Sequence, residues 1–365
     1  MDIRADALRD NLATIRTSVG PGARLLPMIK ADAYGLGVSG AVWALEPMEP
    51  WGYGVAAVEE GVTLRASGVK RPVLVLSPTP PGSEESAVEA GLTLAVSSVD
   101  TLRRLVKAVH GIGRPAAFHL EVDTGMGRAG FAADEIDAWL PEALAAHAAG
   151  VRWEGCFTHL HSADEDASTV DAQWRRFQEI LSRLQRREEP FLVHALNSAG
   201  ALRCPAYAAD LVRPGIFLYG GAVGAGLPEP RAVAAVRARV VHTRSVPSGV
   251  TVGYGATYQS RGPERWATVA MGYGDGLPRS LGNRGFALVR GTRVPIIGRI
   301  SMDVTVVDIT DVAGVSPGDV ATFIGSDGGA RITVDEVARL AGTISYEILT
   351  GFTPRVPRIW IDDER

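Results

Sequence analysis

The chain has little cysteine, no long apolar run and no excess of positive charge, and each shortage removes a class of protein. Two cysteines, Cys156 and Cys204, stand far apart in 365 residues. That excludes a disulfide scaffold and a cysteine-rich metal site, and both read as inert core residues. Net charge is −4, so no basic field invites nucleic acid and no polybasic patch suggests a membrane surface. No stretch is apolar over the length that a bilayer crossing needs. The N-terminus, Met1-Asp2-Ile3-Arg4-Ala5-Asp6, is charged with no apolar run behind it, so no leader is expected and the expected location is the cytoplasm. A Gly-x-x-x-x-Gly-Lys-Ser/Thr loop is also missing, which removes the usual signature of a nucleoside triphosphate site.

What remains is an ordinary globular composition, 46% hydrophobic and 21% charged, in a chain long enough for two domains. Leu8, Leu12 and Ile15 at helical spacing predict a helix over 5–18. Apolar runs then recur with helical segments between them: 25–30, 53–58, 72–77, 93–97, 117–123, 155–159, 191–197 and 211–217. Most are apolar on both faces, as strands of an all-parallel sheet are. Eight such runs over roughly 220 residues fit an N-terminal (β/α)8 TIM barrel, with a doubly wound open sheet as the alternative.

Near Gly220 the texture changes to a Gly- and Pro-rich boundary loop over 220–230. Short β-branched runs follow at 238–246, 266–271, 285–289, 304–309 and 320–324. They predict a C-terminal all-β domain, so the expected domains are 1–228 and 229–365. One helix is expected over 334–340, capped by Thr333 with Glu336 three residues on. The charged run 183–189 reads as a solvated helix end.

In a βα barrel the working residues lie at the C-terminal ends of the strands. Here those ends carry Lys30, the stretch Glu121 to Gly130 with Asp123 and Arg128, His159, the pair Asn197-Ser198, and Arg213-Pro214-Gly215-Ile216. A lysine at the inner end of a strand is costly to bury. Schiff-base chemistry is a reason to do so, because desolvation lowers the pKa and frees the lone pair; a snorkelling lysine is the plain alternative. Gly215 near the eighth strand, with free backbone N–H groups beside the Ser198 hydroxyl, suggests a phosphate cradle. A phosphorylated cofactor and a Schiff-base lysine together point to pyridoxal phosphate. His159 and His161 could instead be a metal pair, but the other histidines show no spacing that would complete one, and no metal is expected. His119 and His194 read as satisfied strand histidines.

Seven blocks, in order, give a resemblance over nearly the whole chain. They are Lys-Ala-Asp-Ala-Tyr-Gly (30–35), Asp-Thr-Gly-Met-Gly-Arg (123–128), Asn-Ser-Ala (197–199), Arg-Pro-Gly-Ile (213–216), Gly-Tyr-Gly-Ala-Thr-Tyr (253–258), Gly-Tyr-Gly-Asp-Gly (272–276) and Gly-Arg-Ile-Ser-Met-Asp (298–303). With them the sequence resembles the alanine racemases, barrel-type pyridoxal-phosphate enzymes that interconvert L- and D-alanine and supply D-alanine for cell-wall peptidoglycan. The resemblance implies a homodimer with shared active sites. Lys30 would carry the cofactor and act as one of two bases; Tyr254, from the partner's β domain, would be the other. A polar chain Tyr254, His159, Arg213, pyridine nitrogen would stabilise the phenolate. Arginine cannot accept a proton, so the ring nitrogen would stay unprotonated, which favours racemisation over transamination. Tyr34, Ser198, Gly215, Ile216 and Tyr346 match the phosphate ligands, with Asn197 beside them. Arg128 and, from the partner, Tyr273 and Met302 match the substrate contacts.

Two departures from the family accompany the match. Many members carry a carbamylated lysine at the position of Glu121, where its charge orients the arginine; Glu121 is expected to supply that anion and to pair with Arg128. The family also has a few more residues before its first helix, so a short N-terminal strand pairing with the β domain is expected to be cut short here.

Overall fold

The computed structural model describes residues 1–184 and 191–362; most of the charged run 183–189 therefore lies outside the described residues. The expected first helix is Ala5–Val19, with Leu8, Leu12 and Ile15 all buried. Six parallel strands then pair side by side: Tyr53–Val55, Val73–Val75, Thr93–Val96, Ala116–Asp123, Val151–Phe157 and Leu192–His194. Arg24–Leu25 and Leu211–Val212 form a seventh and eighth, parallel to each other. Parallel bridges from Met28 to Gly54 and from Asn197 to Arg213 join the two groups. The sheet thus returns on itself as a barrel, and the open-sheet alternative falls. Residues 35–40 happen to carry Gly-x-Gly-x-x-Gly spacing after the first strand, but a closed barrel offers no switch point for a dinucleotide.

Two prolines explain why the first and last barrel strands are shorter than their apolar runs. Pro27 has no N–H to donate, so pairing skips it: Leu26 donates to Val212 O and Met28 to Pro214 O, each at 2.8 Å, while Pro27 O still accepts from Gly54 at 2.9 Å. Pro214 ends the eighth strand in the same way, and the expected strand over 211–217 becomes Leu211–Val212 followed by a 3-10 turn, Ile216–Tyr219. The sixth strand begins at Val151, ahead of the expected 155, because Val151 and Trp153 alternate inward with exposed Arg152.

The second sheet is built on the long strand Ala234–Val246. Its first half pairs antiparallel with Val320–Asp327 and its second half with Glu264–Val269, the latter with a register shift between Val240 and His242. Phe286–Val289, Thr292–Pro295 and Thr305–Asp308 extend it. The short N-terminal strand that was expected to be cut short is present. Asp2–Arg4 pairs antiparallel with Ala234 and Ala235 and parallel with Ile359–Ile361. The helix Val334–Ala341 starts as expected, with Thr333 Oγ1 accepting from Glu336 N–H at 3.0 Å. A further helix, Ser345–Thr350, sends Tyr346 back towards the barrel, its ring 6.0 Å from that of Tyr34.

Candidate active site

At the C-terminal end of the barrel lies a cavity of about 340 Å³, lined by Lys30, Tyr34, Glu121, Arg128, His159, Asn197, Ser198, Arg213, Gly215, Ile216 and Tyr346. Its size suits a small cofactor or ligand. Of the residues to which the resemblance gives a role in the site, Tyr254, Tyr273 and Met302 lie elsewhere. They are exposed on the second domain, Tyr254 at 68%.

Lys30 opens an unusual turn. Ala31, Asp32, Ala33 and Tyr34 have φ of 52°, 53°, 53° and 55°, a left-handed run that costs L-residues about 1–2 kcal/mol each. Such a run persists only where its surroundings fix it. Asp32 Oδ1 accepts from Val38 N–H at 2.7 Å, Arg358 Nε donates to Gly35 O at 3.0 Å, and Ala31 N–H donates to Glu60 Oε1 at 2.6 Å. Gly35, with φ of +82°, has no Cβ to strike the Leu349 carbonyl. The turn brings Tyr34 into the same cavity as Lys30. Burial, then the nearby Arg128 charge, lowers the Lys30 pKa, with Glu60 opposing; a larger fraction of the amine is therefore neutral and nucleophilic.

Arg213 is buried at the end of the strand that pairs with the one leading to Lys30. Nη1 donates to His194 Nδ1 at 2.7 Å, and Nη2 to Thr158 O at 2.9 Å and Ala195 O at 3.0 Å. Burial lowers its pKa to about 10, so it stays a cation at neutral pH. Because a guanidinium only donates, His194 Nδ1 must accept, and His194 carries its proton on Nε2. That proton points to His119 Nδ1 at 2.7 Å, and His119 Nε2 faces Glu154 Oε2 at 3.4 Å. Burial holds both histidines below their usual pKa, as neutral rings. The pair expected to be merely satisfied is a one-directional chain from Arg213 through the barrel interior to Glu154. Strand alternation, which puts His119 and Glu121 on one face, is the signal that could have revealed its first member.

Arg213 Nη2 also reaches His159 Nδ1, at 3.5 Å. Burial and then the Arg213 charge push His159 down to about 3. It is therefore neutral, and with Nδ1 facing the guanidinium its proton sits on Nε2. Glu121 accepts from Ser97 Oγ at 2.7 Å, and burial raises its pKa. The expected direct pair with Arg128 does not form among the described residues: Arg128 sits exposed on its loop, near enough to Glu121 to act through its charge. The loop itself is set by Asp123, whose carboxylate accepts from Gly125 N–H at 2.8 Å and Gly127 N–H at 2.9 Å.

The phosphate cradle differs in one detail from its sequence form. Gly215 N–H is not free; it donates to Ser198 Oγ at 2.7 Å, which leaves the Ser198 hydroxyl proton to point outward. A Cβ on Gly215 would overlap the Tyr34 hydroxyl oxygen, so glycine is what lets that hydroxyl close the cradle. Burial raises the pKa of Tyr34 and, to about 12, of Tyr346. Both phenols remain donors, as an anion requires. Asn197 caps the helix Ser198–Arg203 by accepting from Gly200 N–H at 2.9 Å.

His159 and His161 diverge: His161 is exposed and its Nδ1 meets Ser162 Oγ at 2.7 Å. Among the described residues no three His, Cys, Asp or Glu side chains converge as metal ligands, and no helix is long and apolar enough to cross a membrane. On the second domain, Tyr273 N–H donates to Ser301 O at 3.0 Å and Gly274 N–H to Met302 O at 2.8 Å. Gly253 packs against the Arg299 backbone. One loop, 298–303, thus sets Tyr254, Tyr273 and Met302.

Comparison with known proteins matches residues 3–223 to the alanine racemase N-terminal domain and 233–360 to the alanine racemase C-terminal domain. An alanine racemase of Sorangium cellulosum is 41% identical over 367 residues, 97% of this chain and 96% of that one. The crystal structure of alanine racemase from the D-cycloserine producer Streptomyces lavendulae superposes with a TM-score of 0.94 at 32% identity, covering 99% of this chain and 96% of that one. The Bartonella henselae alanine racemase, solved with covalently bound pyridoxal phosphate, does so with a TM-score of 0.89 at 30% identity, covering 99% and 98%.

Proposed function

The chain belongs to the alanine racemase family and is an isomerase, and from that premise we propose that it interconverts L- and D-alanine on pyridoxal phosphate by two bases, Lys30 and the partner subunit's copy of Tyr254. The observation that carries the reading is the meeting, in one cavity, of a lysine with a lowered pKa, a buried arginine that cannot take a proton, and a neutral histidine. The residues fit the cofactor. Hydroxyls of Ser198, Tyr34 and Tyr346, with the Ile216 backbone, suit its phosphate, Gly215 leaves room for the Tyr34 hydroxyl among them, and Arg213 suits its ring nitrogen. When bound, the cofactor supplies an aldehyde carbon for a covalent bond to an amine and a ring that withdraws electrons from the substrate Cα.

This chain's own groups do the rest. Lys30 Nζ removes or returns the Cα proton on one face. Tyr254 serves the other; its phenol, with a reference pKa of about 10, becomes a base when the His159 Nε2–H donates to the phenolate oxygen and the Arg213 charge stands behind. Arg213, which can only donate, would hold the cofactor's ring nitrogen by a hydrogen bond and offer it no acid to keep it protonated, a partner that suits racemisation better than transamination. Arg128, oriented by the Glu121 charge, holds the substrate carboxylate, and Tyr273 and Met302 of the partner narrow the mouth around a small side chain. In this reading residues 1–228 hold the cofactor and residues 229–365 reach into the partner, as a symmetric dimer permits. The product would feed cell-wall peptidoglycan from the cytoplasm.

The test is D-alanine formation from L-alanine by purified protein, with borohydride trapping of the cofactor. Only Lys30, Lys70 and Lys107 are available in the chain, so the trapped peptide identifies the lysine. Tyr254→Phe and Lys30→Ala should each abolish turnover alone. Mixed and allowed to exchange, they should recover up to about a quarter of wild-type activity, because half the random pairs own one intact site. Trapping at another lysine, or no recovery from a mixture shown to exchange, would overturn the reading.

A further inference from the structure

Glu60 belongs to none of the motifs above. It lies in the helix Val58–Ala66, one turn past the strand Tyr53–Val55. Its carboxylate nevertheless collects three backbone donors from two segments. Oε1 accepts from Ala31 N–H at 2.6 Å; Oε2 accepts from Ala56 N–H at 2.7 Å and from Ala57 N–H at 3.2 Å. The first donor is the residue after Lys30, at the entry to the left-handed turn; the other two belong to the connection that forms the neighbouring cavity wall, where Val55 and Ala56 sit. The far end of the turn is gripped separately, by Arg358 at Gly35 O.

We propose that Glu60 is a positioning residue for Lys30: its carboxylate ties the left-handed turn to the adjacent strand end and so fixes where the lysine side chain enters the cavity. The inference rests on the reading of Lys30 as the cofactor lysine. An ionised acceptor shared by three N–H groups makes short, charge-assisted bonds, and a carboxylate is the one side chain with enough lone pairs to serve both segments at once. The same anion also faces the Lys30 ammonium. The other groups around that amine are Arg128 on the loop after the fifth strand, Arg213 after the eighth, His159 after the sixth, and Glu121 and Tyr34 on the cavity wall. Glu60 raises the Lys30 pKa, against burial and the two arginines.

Glu60→Gln keeps size and one acceptor oxygen but removes the charge and turns the other oxygen into a donor facing N–H groups. With the holoenzyme, kcat should fall at least 10-fold while the KM for alanine stays within 2-fold, and Glu60→Asp, which keeps the charge, should recover part of the loss. In the full-length chain without cofactor, competitive labelling of amines against pH should give a lower midpoint for Lys30 in Glu60→Gln, because an anion beside it has gone, with Lys70 and Lys107 unchanged as internal references. Hydrogen exchange in peptides covering 31–36 and 56–58 should quicken together. The inference is overturned if Glu60→Gln loses thermal stability but keeps kcat, KM and the Lys30 midpoint, as a purely structural residue would. The labelling needs no cofactor, so its failure counts against Glu60 alone, whereas borohydride trapping away from Lys30 in the wild type counts against the reading of the site.

Discussion

Replacing Gly215 by alanine should weaken cofactor binding through one atom, the Tyr34 hydroxyl oxygen. The added Cβ would overlap that oxygen and lie 3.1 Å from Tyr34 Cζ, about 0.4–0.9 Å inside the optimal separation of two carbons. The nearest atom on any other residue, Met28 Cβ at 3.6 Å, is in ordinary contact. Tyr34 must therefore move, and its ring is held by stacking on Tyr219 at 4.6 Å between centroids, so the hydroxyl leaves the phosphate position. A hydrogen bond to a charged group is worth about 1.5–3 kcal/mol, which is roughly 10- to 150-fold in Kd. Titrating pyridoxal phosphate into the cofactor-free variant, by its visible absorption, measures the loss. Tyr34→Phe should lose a similar amount. In the double variant the two losses should not multiply, because the oxygen that the new methyl strikes is already gone; its Kd should stay within about 3-fold of Tyr34→Phe, the coupling expected of residues in contact. A double variant whose loss is the product of the single losses, or a Gly215→Ala protein of wild-type affinity, would refute the steric argument.

Glu121→Ala should cut turnover by an order of magnitude or more while thermal unfolding moves little, since Ser97 loses one hydrogen bond but Arg128 loses its anion; an unaffected kcat would remove Glu121 from the reaction. His119, His159 and His194 are all held below the usual value near 6.5, His159 to about 3, so the unfolded chain binds protons that the fold refuses. Their contribution is complete above about pH 6.5 and is lost as pH falls below it, by up to ~1.4 kcal/mol per pH unit for each histidine. Urea midpoints between pH 8 and 5 should show that fall, less steeply in His119→Phe; a flat profile would contradict it. Thr333→Ala, which removes the cap of the helix Val334–Ala341, should cost about 1 kcal/mol in urea unfolding without touching kcat.

How much of this was legible beforehand depends on how local each cause is. The barrel strands at 93–97 and 117–123 were readable because their apolar runs and their hydrogen-bonded ladders nearly coincide. The first and last were misjudged in length because hydropathy does not register a missing N–H at Pro27 or Pro214. The rim residues Lys30, Arg128, His159 and Arg213 stood out because each ends or follows a strand. The chain from Arg213 to Glu154 did not, since its links join residues 19, 75 and 35 positions apart. Glu60 was invisible for a similar reason: it looks like one acid in a charged helix, and only folding brings Ala31 to it across 29 residues. The place of Gly215 beside the eighth strand suggests a free N–H, but that N–H is taken by the Ser198 hydroxyl, a contact across 17 residues that only folding makes.

The strand Asp2–Arg4, lying between Ala234–Ala235 and Ile359–Ile361, imposes an order on biosynthesis. A chain leaving the ribosome can close its barrel once residue 213 has emerged, yet Asp2–Arg4 must wait for residues 233–235 before it gains its first strand partner, and for Ile359–Ile361 before it gains its second. The Met1 ammonium then meets Pro357 O at 2.8 Å and the Met1 carbonyl receives Ile359 N–H at 2.9 Å. The seam between the barrel and the second sheet is thus closed late, by a segment synthesised before the barrel and one synthesised after most of the second sheet.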